Sequence, residues 1–490
     1  MKFKSISHDI SLSFAIGFAF CFLLSCELAI NPFTLYSGYD SCIFEQMGLG
    51  IIKGYTPYVD LFDHKGFLLY LINASGLWMF SGHAGLYILL SLSLSATYLC
   101  WLRMADYLVS PSLRHIPALL ALLFALIFEG GNMTETWSLF WISLPIYYLV
   151  RYLTRRQIIS LPECFCIGVC ISMAANLRLN NIVPAFTVCL YMFIDLCFRR
   201  AFRQLTYSIL AVLGGFFVVT MALVGLYIAL YGMQHLDAYW FACIGFNLCY
   251  IDQFRHETLW QASGFYFPLL TLLVMLCQPH NHRNRLVWFT FCSFLLTLLT
   301  TGTAYFAHYF TLFAPHIVLT ISLSLTRTYS ISLHVWRLAG IGLLALLAGL
   351  VAVFHSDIQQ KIEDYCSREQ AIRECASCLS SLLPQQKSSV WNYNTMMKGA
   401  NILTRAGIVQ CNRIFLQYQV EGSYGVEEIG TIEEIRPEVI LVDEHTRWGG
   451  GIRTDALESF GTTKDSIFIA KDYRRYYQSE TLGVCIYVKR

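Results

Sequence analysis

The chain has 490 residues, of which 56% are hydrophobic, 15% are aromatic and only 13% are charged. A soluble globular protein carries about 25% charged residues, so this chain lacks the polar surface of a free soluble enzyme, and most of it must face lipid. The composition also excludes a disordered or collagen-like chain. The net charge of +2 gives no support for nucleic-acid binding.

The charged residues are unevenly distributed along the chain. Residues 1–354 contain 18 of the 34 Lys and Arg residues and 14 of the 32 Asp and Glu residues, and residues 355–490 contain the other 16 and 18. This contrast predicts two domains with a boundary near His355. Residues 1–354 form a polytopic all-α membrane domain, and 355–490 form an α/β domain outside the membrane.

Apolar runs close to membrane-spanning length predict eleven transmembrane helices. In chain order they lie at about 10–30, 84–102, 116–128, 136–150, 162–176, 182–198, 206–231, 265–277, 286–302, 308–326 and 335–354. A further apolar run, Phe67–Phe80, is short and is interrupted by Asn73 and Gly76, so we interpret it as re-entrant or interfacial. The first span resembles a signal peptide, but its apolar run continues past Cys26, which favours a retained anchor.

The positive-inside rule orients these spans. With the N-terminus inside, 14 Lys and Arg residues of 1–354 fall on the inner side, and only Lys53, Lys65, Arg178 and Arg255 fall on the outer side. An odd number of spans then places the C-terminal domain outside. Carboxylates are more numerous on the outer side, which we attribute to an outward-facing polar cavity. The inner carboxylates are Asp9, Asp106, Glu163 and Asp195.

The C-terminal domain contains short runs that alternate strand and helix character. The predicted strands are Val390–Asn394, Arg413–Gln417, Val439–Asp443, Ile467–Ala470 and Val484–Val488, and Ser356–Leu383 is predicted to be helical. The domain shows no catalytic triad or metal cluster in its sequence. We expect it to cover the cavity or to shape acceptor choice.

The first outer loop, residues 31–83, carries the most informative pattern. Asp40 follows the first span, and Ser41–Ile52 has the pattern of an amphipathic helix that lies flat on the membrane. Asp63, His64 and Lys65 then come directly before an apolar segment. Charged groups at a membrane surface are costly unless they pair or face water, so we expect them to meet across one cavity. A carboxylate and a cation on opposite sides of one cavity could act as a base for one reactant and as a phosphate-binding group for the other.

This loop resembles the first outer loop of the GT-C superfamily of membrane glycosyltransferases, which use polyprenyl-phosphate sugars. The superfamily includes the lipid A aminoarabinose transferases and the protein O-mannosyltransferases. The matching residues are Gly38-Tyr39-Asp40 and the run from Asp63 to Tyr70. The run is most similar to the "DLFDHKGPLLY" loop of a bacterial, RgtA/B/C/D-like branch. Ser41 replaces a frequent Glu, Phe67 replaces a usual Pro, and His64 takes the acidic position of the second motif.

The resemblance implies an integral enzyme of the bacterial inner membrane. It would move a sugar from a polyprenyl-phosphate donor to a hydroxyl of an envelope glycan or lipid, with inversion of configuration. Asp40 would be the general base, and Lys65 would stabilise the leaving phosphate.

Three further places on the outer side are candidates for substrate binding. Glu129 and Glu135 bracket a Gly-Gly turn between the third and fourth spans, and either they line the sugar site or the segment is a simple turn. Arg178 could clamp phosphate with its guanidinium fork or anchor the helix at the interface. His308 and Tyr309 could contact the lipid phosphate or belong to an aromatic belt.

No resident cofactor is implied with certainty. Asp40, Asp63, His64, Glu129 and Glu135 could supply oxygen and nitrogen ligands to a divalent ion, and related enzymes differ in metal use, so metal dependence stays open.

Two other functions remain. A transporter or flippase for lipid-linked sugars would also need outer acids and basic phosphate-binding residues, but its polar groups would lie near the bilayer midplane. A glycan polymerase or ligase would use a polyprenyl diphosphate donor. The Asp40 and Lys65 motifs favour the transferase.

Overall fold

The structure is a computed structural model. It describes residues 2–23, 39–80, 82–127, 131–250, 284–300, 307–325, 366–383, 389–393, 395, 397–415, 426–443 and 464–490. The boundary expected near His355 and the predicted spans at 265–277 and 335–354 lie outside these ranges.

In the described residues before 326, the regular secondary structure is helical. The α-helices are α1 Lys2–Leu23, α2 Tyr39–Ile52, α3 Phe67–Met79, α4 Ala84–Ala105, α5 His115–Ile127, α6 Thr134–Arg155, α7 Leu161–Ala175, α8 Val183–Phe198, α9 Phe202–Tyr231, α10 Leu236–Trp240, α11 Phe246–Tyr250, α12 Asn284–Thr300 and α13 Ala314–Leu325. Short 3₁₀ segments at Leu179–Ile182, Met233–His235 and Ala307–Phe313 and a π turn at Phe241–Gly245 complete the helical part.

Four of these helical segments are long and apolar enough to cross a membrane. Among the described residues they are Ala84–Ala105, Leu179–Phe198, Phe202–Tyr231 and His308–Leu325. The α9 helix is the most apolar of them, and only 17% of its apolar window is buried against the rest of the chain. Its large exposed side chains, such as Phe217 and Met221, therefore face outward, as expected of a lipid-facing helix.

Helices α7 and α9 pack closely because Gly168 leaves space at their contact. A Cβ atom at Gly168 would lie 1.9 Å from the Val212 carbonyl oxygen of α9. One turn further on, the hydroxyl groups of Ser172 and Thr220 are 2.7 Å apart. Small residues that let backbones approach, together with hydroxyl hydrogen bonds, are typical of helix contacts in membranes.

The carboxylates predicted for the inner side all contact arginines. The contacts join Asp9 and Asp106 to Arg103 and Arg114, Glu163 to Arg151, and Asp195 to Arg199 and Arg285. Pairing lowers the cost of a carboxylate near the membrane, so these acids are explained without a cavity on that side.

The α2 helix is confirmed within the first loop, but its polar side chains are not exposed. Ser41, Glu45 and Gln46 are each at most 1% exposed. The Gln46 amide donates to Thr404 Oγ1 at 2.8 Å, so the C-terminal part of the chain covers this helix. An amphipathic helix flat on the membrane would turn its polar side chains to water, but here a distant segment of the chain packs on them, which the local sequence pattern could not show.

The C-terminal residues form a four-stranded sheet with helices on both faces, which confirms the α/β expectation. The strands β1 Val390–Tyr393, β2 Val439–Asp443, β3 Tyr473–Ser479 and β4 Val484–Lys489 are arranged in the order β1-β2-β4-β3, with β1 and β2 parallel and the other pairs antiparallel. The helices are α14 at 366–382, α15 Met397–Ala406, α16 Ile432–Ile435 and α17 Lys464–Asp472. We call residues 366–490 the C-terminal unit.

Three of the five predicted strands are present where expected, as β1, β2 and β4. Ile467–Ala470 instead lies in α17, because only Ser466 and Ile469 of that helix are buried, three residues apart as on a helix face. The strand that follows, β3, was missed because its sequence YRRYYQS is polar, as is common at a sheet edge. Of the second predicted strand, Arg413–Gln417, the structure describes residues 413–415, and there Ile414 forms an isolated bridge with Phe62.

We expect Gly168→Ala to destabilise the protein by about 1–3 kcal/mol, because the added methyl group meets backbone rather than a movable side chain. Gly225→Ala in α9 is the matched control, since no atom lies within 4 Å of the position that its methyl group would take. The apparent melting temperature in detergent measures both. An unchanged melting temperature for Gly168→Ala would contradict this packing.

Candidate functional site

Tyr58 holds the loop between α2 and α3 in a strained conformation. Its φ of 71° lies in the left-handed region that non-glycine residues rarely adopt. The Tyr58 N–H donates to the Leu61 carbonyl at 2.7 Å, and its hydroxyl donates to the Lys65 carbonyl at 2.9 Å. Strain of this kind persists only where surrounding contacts fix the residue, and here those contacts fix the position of Lys65.

Gly66 brings the end of this loop against the end of α7. Its N–H donates to the Leu177 carbonyl at 3.1 Å, and a Cβ atom at this position would lie 1.9 Å from the Asn176 carbonyl oxygen. Glycine is therefore required for the approach. The contact places Lys65 close to Arg178, although the two residues are far apart in the sequence.

Asp63, His64 and Lys65 form a compact cluster. Lys65 Nζ lies 3.0 Å from His64 Nε2 and 3.8 Å from Asp63 Oδ1, and the Lys65 side chain is 7% exposed. The Tyr70 hydroxyl donates to Asp63 Oδ2 at 2.9 Å and accepts the Lys65 N–H at 3.1 Å. The carboxylate beside the lysine is thus supplied by Asp63, one residue earlier than in the superfamily motif that the loop resembles.

The surroundings of His64 keep its imidazole neutral. Burial, and then the positive charges of Lys65 and Arg178, hold the pKa of His64 well below its usual 6.5. A neutral imidazole can accept a hydrogen bond from Lys65 Nζ without placing a second positive charge beside the ammonium.

Arg178 lies between Glu135 and Tyr309. Its Nη1 donates to Glu135 Oε1 at 3.0 Å, its Nη2 donates to the Tyr309 hydroxyl, and its Cζ lies 4.2 Å from the centre of the Tyr309 ring. The Glu135 side chain is 1% exposed, so this ion pair is largely desolvated. Burial alone would lower the pKa of Arg178, but Tyr309 and Glu135, and then Asp40, raise it above its ordinary value.

Asp40 lies in the first turn of α2, where the helix dipole favours a carboxylate. It is half-buried, and its charge contributes to the pKa of Arg178. The same guanidinium acts on His64. Asp40 and His64 therefore both lie within electrostatic range of Arg178.

Asn132 ties the helices that surround the site. Its side-chain Nδ2 donates to Ser41 Oγ and to Asn73 Oδ1, each at 2.8 Å, and its side-chain Oδ1 accepts from Trp137 Nε1 at 2.8 Å. The residue joins α2, α3 and α6 with no exposed surface. The segment before α6, which the sequence marked by its Gly-Gly turn, is thus held in place by Asn132.

The structure brings together most of the residues predicted from the sequence. Asp63, His64, Lys65, Glu135, Arg178 and Tyr309 are in contact or within electrostatic range of one another. His308 lies beside them, with its ring 4.7 Å from that of Tyr309. Glu129 lies outside the described residues. In the part of the chain that the structure describes, no three His, Cys, Asp or Glu side chains are grouped as metal ligands.

Three residues of the site were missed: Tyr58, Tyr70 and Asn132. Tyr70 ends the loop motif seven residues after Asp63, and the first turn of α3 returns it over that carboxylate, so the motif contained a signal for it. Nothing in the sequence marks the left-handed conformation of Tyr58 or the three partners of Asn132.

The chain matches no protein-family model and no curated protein. Among solved structures it is similar to the archaeal oligosaccharyltransferase AglB from Archaeoglobus fulgidus in complex with an inhibitory peptide and a dolichol-phosphate. That match has 12% identity and a TM-score of 0.48, and it covers 89% of this chain and 69% of the other. The apo form of the Archaeoglobus fulgidus oligosaccharyltransferase matches with 13% identity, a TM-score of 0.47 and the same coverage.

At such identities and TM-scores, the likeness says nothing about the substrate or mechanism of this chain.

We expect His64→Gln to remove one component of the pH dependence of stability. A histidine whose pKa is lower in the folded than in the unfolded protein contributes stability above pH 6.5, and this contribution is lost as the pH falls below 6.5. The wild type should therefore lose up to about 1.4 kcal/mol per pH unit more than the variant in that window. Unfolding free energies in detergent at pH 7.5, 6.5 and 5.5 measure the difference. Parallel profiles for the two proteins would show that His64 titrates normally.

Proposed function

We propose that the protein is an integral membrane glycosyltransferase of the GT-C type. It transfers a sugar from a polyprenyl phosphate to a hydroxyl of a cell-envelope glycan or lipid. The observation that carries this proposal is that a half-buried carboxylate, Asp40, lies at one site with two largely buried cations, Lys65 and Arg178. A base and an anion clamp are the two functions that this transfer requires.

Asp40 acts as the general base in the proposed reaction. Its carboxylate takes the proton of the acceptor hydroxyl while the oxygen forms a bond to the anomeric carbon of the sugar. The bond between that carbon and the phosphate oxygen breaks, and its electron pair leaves with the polyprenyl phosphate. Attack opposite the leaving group inverts the anomeric configuration. A positioned base typically contributes about 10²–10⁴-fold to such a rate.

Lys65 and Arg178 stabilise the phosphate that leaves. Asp63 and Glu135 pair with these cations and offset the cost of burying them. A bound phosphate would contact Lys65 and Arg178 together with their carboxylate partners. The guanidinium group of Arg178 can donate to two phosphate oxygens at once. His308 and Tyr309 complete the phosphate side, with Tyr309 orienting the guanidinium.

The proposed site faces outward. We propose eleven spans in a bacterial inner membrane, with the N-terminus inside and the C-terminal unit outside. The support is the excess of cations in the predicted inner loops, together with the arginine partners of all four inner carboxylates. The donor then reaches the site from the outer leaflet.

Asp40→Asn should abolish transfer and leave donor binding within a few-fold, because the amide keeps the shape of the side chain and loses the base. Asp237→Asn, at an exposed carboxylate of α10, is the matched control and should retain full activity. Transfer is measured with purified protein, a panel of polyprenyl-phosphate sugars and envelope acceptors. Near wild-type transfer by Asp40→Asn would rule out this base.

Lys65→Ala should weaken the binding of polyprenyl phosphate by roughly 10- to 150-fold, because a charged hydrogen-bond donor contributes about 1.5–3 kcal/mol. Lys65→Arg should restore part of the affinity. If Lys65 and Arg178 hold one phosphate, the effects of Lys65→Ala and Arg178→Ala should not add in the double variant. The control is Lys53→Ala, an exposed cation of the same loop. Competition binding in nanodiscs measures the affinity for polyprenyl phosphate. If folded Lys65→Ala binds as tightly as the wild type, Lys65 does not contact the phosphate and serves only to anchor the loop.

A further inference from the structure

The C-terminal unit contacts the loop that carries Asp63 and Lys65, and Arg413 makes three of the contacts. The Arg413 guanidinium donates from Nη2 to the Tyr58 carbonyl at 2.9 Å. The Arg413 backbone carbonyl accepts the Phe62 N–H at 2.8 Å, and its Cζ lies 5.4 Å from the centre of the Phe62 ring. One residue therefore holds the loop at two points, on either side of Asp60.

The two residues that Arg413 contacts, Tyr58 and Phe62, are each connected to the cluster of Asp63, His64 and Lys65. Tyr58 is the residue with the left-handed φ, and its hydroxyl donates to the Lys65 carbonyl. Phe62 precedes Asp63, and its ring packs 5.3 Å from that of Phe246, which is also 5.3 Å from the ring of His64. A movement of Arg413 would thus be transmitted to both ends of the segment from 58 to 65.

Arg413 is itself held by a buried polar network. The Glu428 carboxylate accepts the backbone N–H groups of Arg413 and Ile414 at 2.7 and 3.0 Å. The Asn412 side chain donates to the Asn392 carbonyl of β1 at 3.2 Å and accepts the Asn392 N–H at 2.8 Å. This network connects Arg413 to the sheet, so the sheet of the C-terminal unit is the rigid support for the loop.

A second contact stabilises the same arrangement. Gln46 of α2 donates to Thr404 Oγ1 at 2.8 Å and to the Ile408 carbonyl at 3.2 Å. Because Asp40 lies in the first turn of α2, the C-terminal unit contacts both the helix of the proposed base and the loop of the proposed phosphate clamp.

We propose that Arg413 is a positioning residue of the site, and that the C-terminal unit sets the geometry of Asp63, His64 and Lys65 through it. The Arg413 guanidinium is one of the contacts that hold the strained turn at Tyr58 in place. Without the guanidinium, the segment from 58 to 65 relaxes and Lys65 Nζ is no longer fixed beside His64. Positioning of this kind matters because small displacements of a charged group weaken its contact with a bound anion.

The test compares Arg413→Ala with Arg413→Lys and with the control Arg373→Ala. Arg373 belongs to the same unit, but it pairs with Glu369 within α14 and is half-exposed. Hydrogen exchange of the backbone N–H groups at 58–66 is one readout, and competition binding of polyprenyl phosphate in nanodiscs is the other.

Arg413→Ala should raise exchange at 58–66 by about tenfold or more and weaken polyprenyl-phosphate binding by about tenfold, the effect of one charged hydrogen bond. Arg413→Lys keeps the positive charge and can still reach one acceptor, so it should show smaller changes in exchange and affinity than Arg413→Ala. If Arg413→Ala does not fold, Arg413→Lys decides whether Arg413 positions the loop. Arg373→Ala should match the wild type. Unchanged exchange and affinity in Arg413→Lys and Arg413→Ala, or equal losses in Arg373→Ala, would overturn the proposal.

The affinity measurement rests on the function proposed above, and the exchange measurement does not. If the wild type fails to bind polyprenyl phosphate, the proposed function fails, while the exchange at 58–66 still decides whether Arg413 positions the loop.

Discussion

The site depends on the need to pair two cations that the fold buries beside a membrane. Lys65 and Arg178 would each be costly there without an anion nearby. Asp63 and Glu135 supply those anions at 3.8 and 3.0 Å. The distances differ, and the longer one belongs to the lysine, whose ammonium also contacts His64 Nε2 at 3.0 Å. A neutral acceptor next to Lys65 adds no further charge to the cluster.

The pairing is made possible by contacts that fix the backbone around Lys65. Gly66 allows the loop to touch the end of α7, and Tyr58 accepts a left-handed conformation so that its hydroxyl can hold the Lys65 carbonyl. Arg413 then holds Tyr58 from the C-terminal unit. The site is therefore assembled from three separate parts of the sequence, and each of them contacts the segment that holds the lysine.

The sequence predicted which residues belong to the site better than how they are arranged. Asp40, Lys65 and Arg178 stood out because charges are rare in 1–354 and rarer still as cations on the outer side. Their partners did not stand out, because the pairing of Arg178 with Glu135 arises from the packing of α6 against α7, which no local pattern encodes. Short apolar runs were also ambiguous, since Ile467–Ala470 suits a strand as well as the helix that it forms.

The role of the C-terminal unit was the part furthest from prediction. The sequence led us to expect that it covers the cavity or shapes acceptor choice, and the structure adds specific contacts from Arg413 and Thr404 to the first loop and α2. Arg413 is one of 16 Lys and Arg residues in 355–490, so its charge carried no signal. Arg413 matters because it contacts the strained residue Tyr58 and also Phe62. These contacts exist only in the folded chain.

The central claim is that this site forms a glycosidic bond and does not move a lipid-linked sugar across the bilayer. The most direct measurement uses the wild-type protein in sealed proteoliposomes with a polyprenyl-phosphate donor labelled in its sugar, and envelope acceptors supplied on the outside. The proposed function predicts that the label appears covalently in the acceptor with inverted anomeric configuration, while the donor outside is consumed. Movement of intact labelled donor between leaflets without any labelled acceptor would contradict it and would identify a transporter instead.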